Sequence, residues 1–166
     1  MSIDVAIMMG SKSDLEVMRP AARLLAGLGL AVEVRVMSAH RTPIETAAFV
    51  RDASTRGCKV FICGAGGAAH LAGAVAAQTS RPVIGVPVAT GTLGGFDALL
   101  STVMMPPGMP VATVAVGGAE NAGLLAAQII AVGDRELGAK VEAERESRRK
   151  KVLASDADVR AELEPG

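Results

Sequence analysis

The chain has 166 residues, half of them hydrophobic, with 17 Lys and Arg against 17 Asp and Glu. That is enough chain for one domain that buries about two thirds of its unfolded surface, with no need of disulfides or structural metal. A formal net charge of zero removes the electrostatic case for a nucleic-acid or polybasic membrane binder, while leaving room for one phosphate on a small ligand.

Residues 3–9 form a continuous apolar run that stops at GSKSD and is followed by a helical pattern through residue 28, which reads as strand, tight turn, helix. Residues 32–37 form a β-branched run ending at SAHRTP, where Pro43 suits the first turn of a helix reaching about residue 56. Gly57 closes that helix, residues 59–63 supply a third strand, and GAGGAAH leads into an Ala-rich helix over 71–78. Pro82 introduces VIGVPV, a fourth buried run, followed by the Gly-punctuated ATGTLGGFD and a helix to about residue 105. After the MPPGMP turn, residues 111–116 read as a fifth strand, and GGAENAG opens a helix to 132 with Asn121 as its N-cap.

Strands that are apolar without alternation belong in a parallel sheet buried on both faces. The expected fold is therefore α/β, a three-layer α/β/α sandwich with a central parallel sheet, flavodoxin-like or Rossmann-like, plus a C-terminal helix. Residues 134–153 are charged, helix-competent and poor in apolar anchors. The chain divides into an α/β domain at 1–133 that carries the chemistry and a helical extension at 134–166. The extension packs on the same or a neighbouring subunit, and its last dozen residues are expected to fray.

Cys58 and Cys63 are too few for a disulfide framework and read as core thiols in a reducing compartment. The N-terminus lacks a basic n-region and meets Asp4 early, and no apolar run reaches the roughly 20 residues of a spanning helix, so the expected location is the cytoplasm. Trp and Tyr are absent and there are two His. Any chemistry rests on few side chains.

In a doubly wound sheet, ligands bind beyond the C-terminal ends of the strands, which brings GSKSD (10–14), SAHR (38–41) and GAGGAAH (64–70) to one rim. In the first loop Gly10 permits a close turn, and Ser11, Ser13 and Asp14 lie at a helix N-terminus, where amides and dipole favour an anion such as phosphate. Ser11 would donate to the phosphate and Asp14 would accept from ribose hydroxyls, although Ser13 or Asp14 also reads as a helix cap. The loop is neither a P-loop nor a dinucleotide fingerprint. In the second, Arg41 is a forked cationic donor, Ser38 adds a hydroxyl, and His40 between them reads as catalytic. Arg41 alternatively pairs with Glu45. In the third, Gly64, Ala65, Gly66 and Gly67 offer N–H groups to a carboxylate or heterocycle and His70 follows on a first helical turn, the plainer alternative being a tight turn of small residues. The glycines at 91, 94 and 95 suit a loop that covers the site, and Met104 and Met105 read as core or interface.

Together, MGSKSD (9–14), SAHRTP (38–43), GAGGAAHL (64–71), MPPGMPVATVAVG (105–117) and NAGLLAAQI (121–129) closely resemble the bacterial-type, class I branch of the aminoimidazole ribonucleotide carboxylase family, the 5-(carboxyamino)imidazole ribonucleotide mutases of purine biosynthesis. The resemblance covers about residues 3–132. It implies an isomerase that moves carboxylate from the exocyclic nitrogen to ring carbon 4 of the ribonucleotide on the route to IMP, with His40 as acid and base. It implies that Ser11, Asp14 and Arg41 contact the ribonucleotide with Ser38 assisting at the phosphate, and that the 64–67 turn and His70 hold the migrating carboxylate and the aminoimidazole. It further implies a homo-octamer with sites near subunit boundaries, no cofactor, no metal, and a small-molecule substrate rather than a nucleic acid or membrane.

A second class of the family carboxylates aminoimidazole ribonucleotide directly with carbon dioxide, and its third motif differs; GAGGAAH resembles the mutase class. Two positions depart from the family pattern. Ala72 stands where the HLPG segment usually has proline, and Met104 where Gln commonly precedes the MP turn, which bears on helix entry and site packing. The remote alternative is a non-catalytic, flavodoxin-like nucleotide-binding or phospho-signalling module, which would leave SAHR and GAGGAAH unexplained.

Overall fold

The computed structural model describes residues 2–163. Five strands, β1 (Val5–Met9), β2 (Val32–Val36), β3 (Val60–Gly66), β4 (Val83–Val88) and β5 (Ala112–Thr113), alternate with helices α1 (Leu15–Gly27), α2 (Pro43–Thr55), α3 (Leu71–Ala76), α4 (Phe96–Val103) and α5 (Ala119–Ala131). A long helix, α6 (Arg135–Leu163), ends the described chain. All strand pairs are parallel, in the order β2-β1-β3-β4-β5. This is the doubly wound flavodoxin-like order, with its reversal at β1 and β3.

Side chains alternate across each strand, and the two faces of β1 feed two cores. Val5, Ile7 and Met9 pack with Met18, Ala21 and Leu25 of α1 and with Ala122, Ala126 and Ile130 of α5. Ala6 and Met8 pack with Phe49, Val50 and Ala53 of α2 and with Leu71, Ala72 and Val75 of α3. The three layers follow from that alternation. Both thiols are buried, and desolvation pushes the Cys58 thiol up to about 11 and the Cys63 thiol up as well.

Several elements differ from the sequence expectation. Strand β2, VEVRV, alternates and leaves Val34 and Val36 exposed, because it is the edge of the sheet rather than an interior strand. Strand β5 keeps only two ladder residues, after which Val114 donates to the Gly85 carbonyl and Gly117 to that of Pro87 as the chain leaves the sheet. Strand β3 continues to Gly66, pairing Gly64 with Val86 and Gly66 with Val88, so the first three residues of GAGGAAH belong to the strand rather than to a loop. Helix α5 is capped by Gly118 with no side-chain bond; Asn121 lies inside it and is not the cap.

The end of the chain differs most. Helix α6 runs to Leu163 rather than to residue 153, since after Gly138 its residues are mostly good helix formers laced by pairs such as Arg148 with Glu144 and Arg149 with Glu146. Its first turns bury Leu137 and Val141 against α5, with the Asp134 carboxylate accepting the Leu137 N–H. The dozen residues expected to fray are helical as far as Leu163. Residues 164–166 of the extension, and Met1 of the α/β domain, lie outside the described residues.

Helices α1 and α5 approach closely where Gly123 faces Ala21, since a Cβ at 123 would lie 3.1 Å from the Ala21 Cα and 3.2 Å from its carbonyl oxygen. Gly123→Ala therefore pushes backbone against backbone and is expected to lower stability by about 1–3 kcal/mol. Gly27→Ala, with nothing within 4 Å of the added carbon, is expected to raise it by about 0.5 kcal/mol. Urea unfolding of both variants checks the pair.

Candidate active site

The register ends β1 and β2 level, with Met9 opposite Val36, while β3 runs on past Gly64, Met9's other partner, to Gly66. The loops that follow enclose a cavity of about 420 Å³ lined by Gly10, Ser11, Ser13, Asp14, Ser38, Ala39, His40, Arg41, Ala65, Gly66, Ala68, His70, Leu71 and Thr90. It lies at the sheet's topological switch point, where an open α/β sheet binds its ligands.

The first loop is shaped by a capping box. Ser11, with extended backbone, caps a 3-10 turn over Lys12–Asp14; its hydroxyl accepts the Ser13 N–H at 3.3 Å, and an Asp14 carboxylate oxygen accepts the Ser11 N–H at 3.0 Å. The other Asp14 oxygen accepts from the Ser13 hydroxyl at 3.3 Å. A carboxylate only 3% exposed is thus satisfied by its own loop. The cap forms, but Ser11 makes it and Asp14 completes it.

The second loop folds on itself through the Ser38 and Thr42 backbones, with the Thr42 hydroxyl accepting the Ser38 N–H at 2.9 Å. The Ser38 hydroxyl accepts from the Arg41 N–H at 3.2 Å, and Arg41 Nη2 donates 2.9 Å to the Gly10 carbonyl. Arg41 therefore joins the second loop to the first instead of pairing with Glu45. On the β1–β2 side, an adjoining depression adds Lys12 to Gly10, Ser11, Ser38 and Arg41. Two cations and several hydroxyls converge there, the composition that holds a phosphate.

His40 reaches across β1 to the third loop. Its Nε2 lies 2.7 Å from His70 Nδ1, with the rings edge to face. Two imidazole nitrogens at this distance share one proton, since one must donate and the other accept. His70 precedes the first turn of α3, and the turn before it is held from α4. The Ser101 hydroxyl accepts the Ala69 N–H at 3.0 Å and lies 2.7 Å from the Asp97 carbonyl and 3.2 Å from that of Gly67.

Of the four small residues singled out in the third motif, Ala65 and Gly66 line the cavity and Gly64 and Gly67 do not. Gly64 is buried in the sheet, where a Cβ would run into Met18 Sδ. Gly67 makes the turn out of β3 with φ of +61°, which favours glycine. Ala39, Ala68, Leu71 and Thr90 line the cavity without having been singled out as site residues. Ser101 was also missed, and its bonds join residues more than 30 positions apart, beyond any local pattern. Ala72 is buried among α2 and α3 residues, and Met104 is exposed at the end of α4. Neither departure from the family pattern lines the cavity.

A family model described as AIR carboxylase matches residues 4–151. The chain belongs to that family. Its similar relatives include the N5-carboxyaminoimidazole ribonucleotide mutase of Saccharolobus solfataricus, 52% identical over 91% of this chain and 96% of the relative. The protein of that name from Brucella melitensis is 54% identical over 86% of this chain and 89% of the relative. The crystal structure of Treponema denticola PurE superposes with a TM-score of 0.84 at 30% identity, covering 93% of this chain and 96% of that one. The AIR carboxylase fold is thus the three-layer sandwich described above. Among the described residues no helix is long and apolar enough to cross a membrane, and no group of three or more His, Cys, Asp and Glu is placed to hold a metal ion.

The Ala69 amide is buried and depends on Ser101. Ser101→Ala is expected to lower stability by about 1–2 kcal/mol and to speed hydrogen exchange at the Ala69 amide, measured by NMR, ahead of amides in β1.

Proposed function

We propose that this AIR carboxylase family member is an N5-carboxyaminoimidazole ribonucleotide mutase, an isomerase that converts 5-(carboxyamino)imidazole ribonucleotide to 4-carboxy-5-aminoimidazole ribonucleotide in purine (IMP) biosynthesis. The observation that carries the reading is the His40–His70 contact of 2.7 Å beside a cationic, hydroxyl-rich end of the same cavity. Relatives about half identical over most of their length bear the mutase name.

In this reading the phosphate sits on Ser11, Ser13, Ser38 and Arg41, where amides at the start of a helical turn and a guanidinium supply donors. The ribose lies toward Asp14. Ala65 and Gly66 let the heterocycle approach the backbone, while Gly64 and Gly67 shape the strand end that carries them. His40 is the catalytic acid and base, and His70 shares its proton and faces the migrating carboxylate. The bond between the exocyclic nitrogen and the carboxyl carbon breaks, and the nitrogen keeps the electron pair and takes a proton from His40. Ring carbon 4 attacks the freed carbon dioxide, and its proton returns to His40 as aromaticity is restored. No net proton is gained or lost, which suits one imidazole acting in both directions.

The protein works in the cytoplasm as a homo-octamer, and two exposed apolar surfaces support association. Phe96, Leu100, Val103 and Met104 recur along one face of α4, and Val152, Leu153, Val159 and Leu163 lie on the far part of α6. Helix α6 packs on its own α5 through Leu137 and Val141 and through the Arg148–Glu120 ion pair, and its exposed part beyond Arg148 reaches a neighbour. Light scattering is expected to give eight times the 16.8 kDa monomer.

The decisive assay is product formation from the N-carboxylated ribonucleotide without ATP or added bicarbonate. Incorporation of labelled bicarbonate into product would instead assign the direct carboxylase. His40→Asn is expected to retain nucleotide binding while turnover falls by about 10²-fold or more. Arg41→Ala is expected mainly to weaken binding; equilibrium titration with the product nucleotide and single-turnover rates separate the two effects.

A further inference from the structure

Among the described residues, Thr90 is the one cavity-lining residue contributed from beyond β4. It stands at the N-cap of a 3-10 turn over Gly91–Leu93 yet makes no side-chain bond to that turn, although Thr at such a position ordinarily spends its hydroxyl there. Its side chain lies instead against Gly66: a Cβ on Gly66 would collide with the Thr90 hydroxyl and come within 2.6 Å of its methyl. Gly66 has no positive φ to explain its glycine. What it provides is the space that Thr90 occupies. Gly95, at φ of +89°, holds the other end of the loop, where a Cβ would meet Val116 and Ala89.

Adjacent strands lie about 4.8 Å apart, so the loops after β2, β1, β3 and β4 are successive stations along about 14 Å of rim. The cations and most hydroxyls, on Ser11, Lys12, Ser38 and Arg41, occupy the β2–β1 end. The His pair bridges the middle. The β3–β4 end is walled by Ala65, Gly66, Ala68 and Leu71, and among the described residues Thr90 is, apart from His70, the only side chain there able to donate a hydrogen bond. With the phosphate at the cationic end, the carboxylated heterocycle falls at the other.

Resting on the mutase reading, we infer that Thr90 is a further substrate-contacting residue whose hydroxyl donates to an oxygen of the migrating carboxyl group and keeps it beside ring carbon 4. While the group is attached to nitrogen or to carbon it is a carboxylate and accepts a charge-assisted hydrogen bond. Between the two bonds it is carbon dioxide, small and neutral, and leaves the cavity unless held. Thr90 takes no proton and none of the bonding electrons. It acts on the partition of the intermediate between recapture by carbon 4 and escape.

The test uses the full-length protein and the N-carboxylated ribonucleotide in single turnover, comparing the 4-carboxy product with the uncarboxylated aminoimidazole ribonucleotide released. Thr90→Val keeps the shape and removes the donor; the ratio of product to released nucleotide is expected to fall about tenfold or more, with apparent KM moving far less. Thr90→Ser restores the donor and is expected to return the ratio to within about threefold of wild type. A Val variant that partitions as wild type does, or a Ser variant as leaky as Val, overturns the assignment while leaving the mutase reading in place. A wild-type protein that leaves the substrate unconverted overturns the mutase reading, and this inference falls with it.

Discussion

Strand β1 lies between β2 and β3 and pairs in parallel with both, Met9 facing Val36 on one side and Gly64 on the other. Everything at the site depends on that placement. Because β1 and β2 end level and β3 ends just beyond them at Gly66, their loops are neighbours in space although they are separated along the chain by entire helices. Arg41 can then reach the Gly10 carbonyl, and His40 can pass over the end of β1 to His70. The two cores anchor the placement from both faces, and the loops are then tied to one another at the rim.

The composition acquires a structural meaning. The chain has no Trp or Tyr, no Phe lines the cavity, and its β3–β4 end is built of Ala, Gly and Leu with two histidines beside it. A ligand there would meet backbone and few directional side chains. That economy suits an isomerisation in which a single proton leaves and returns.

Much of this was legible beforehand because it is local. Continuous apolar runs marked β1, β3 and β4, Pro43 marked the start of α2, and the polar segments directly after three strands marked the rim. The exposure of β2 was not legible in the alternation of VEVRV, since Val34 and Val36 are themselves exposed on the strand at the sheet edge. The short β5 and the length of α6 were misjudged for a common reason: apolarity and charge describe what a segment can bury, not how many residues find a ladder partner or continue a helix.

Sequence by itself determined the layered α/β architecture, the family, and the polar segments that line the cavity. These follow from side-chain type, from period, and from motifs short enough to be read without folding the chain. Tertiary structure alone decided which of those groups meet. It turned Asp14 inward to satisfy its own loop, withdrew Gly64 into the sheet, hung the turn before His70 on Ser101, and laid Thr90 on the bare face of Gly66. Each of the last three is a contact between residues far apart in the chain, set by strand pairing or by helices packed on the sheet, and no local pattern encodes it.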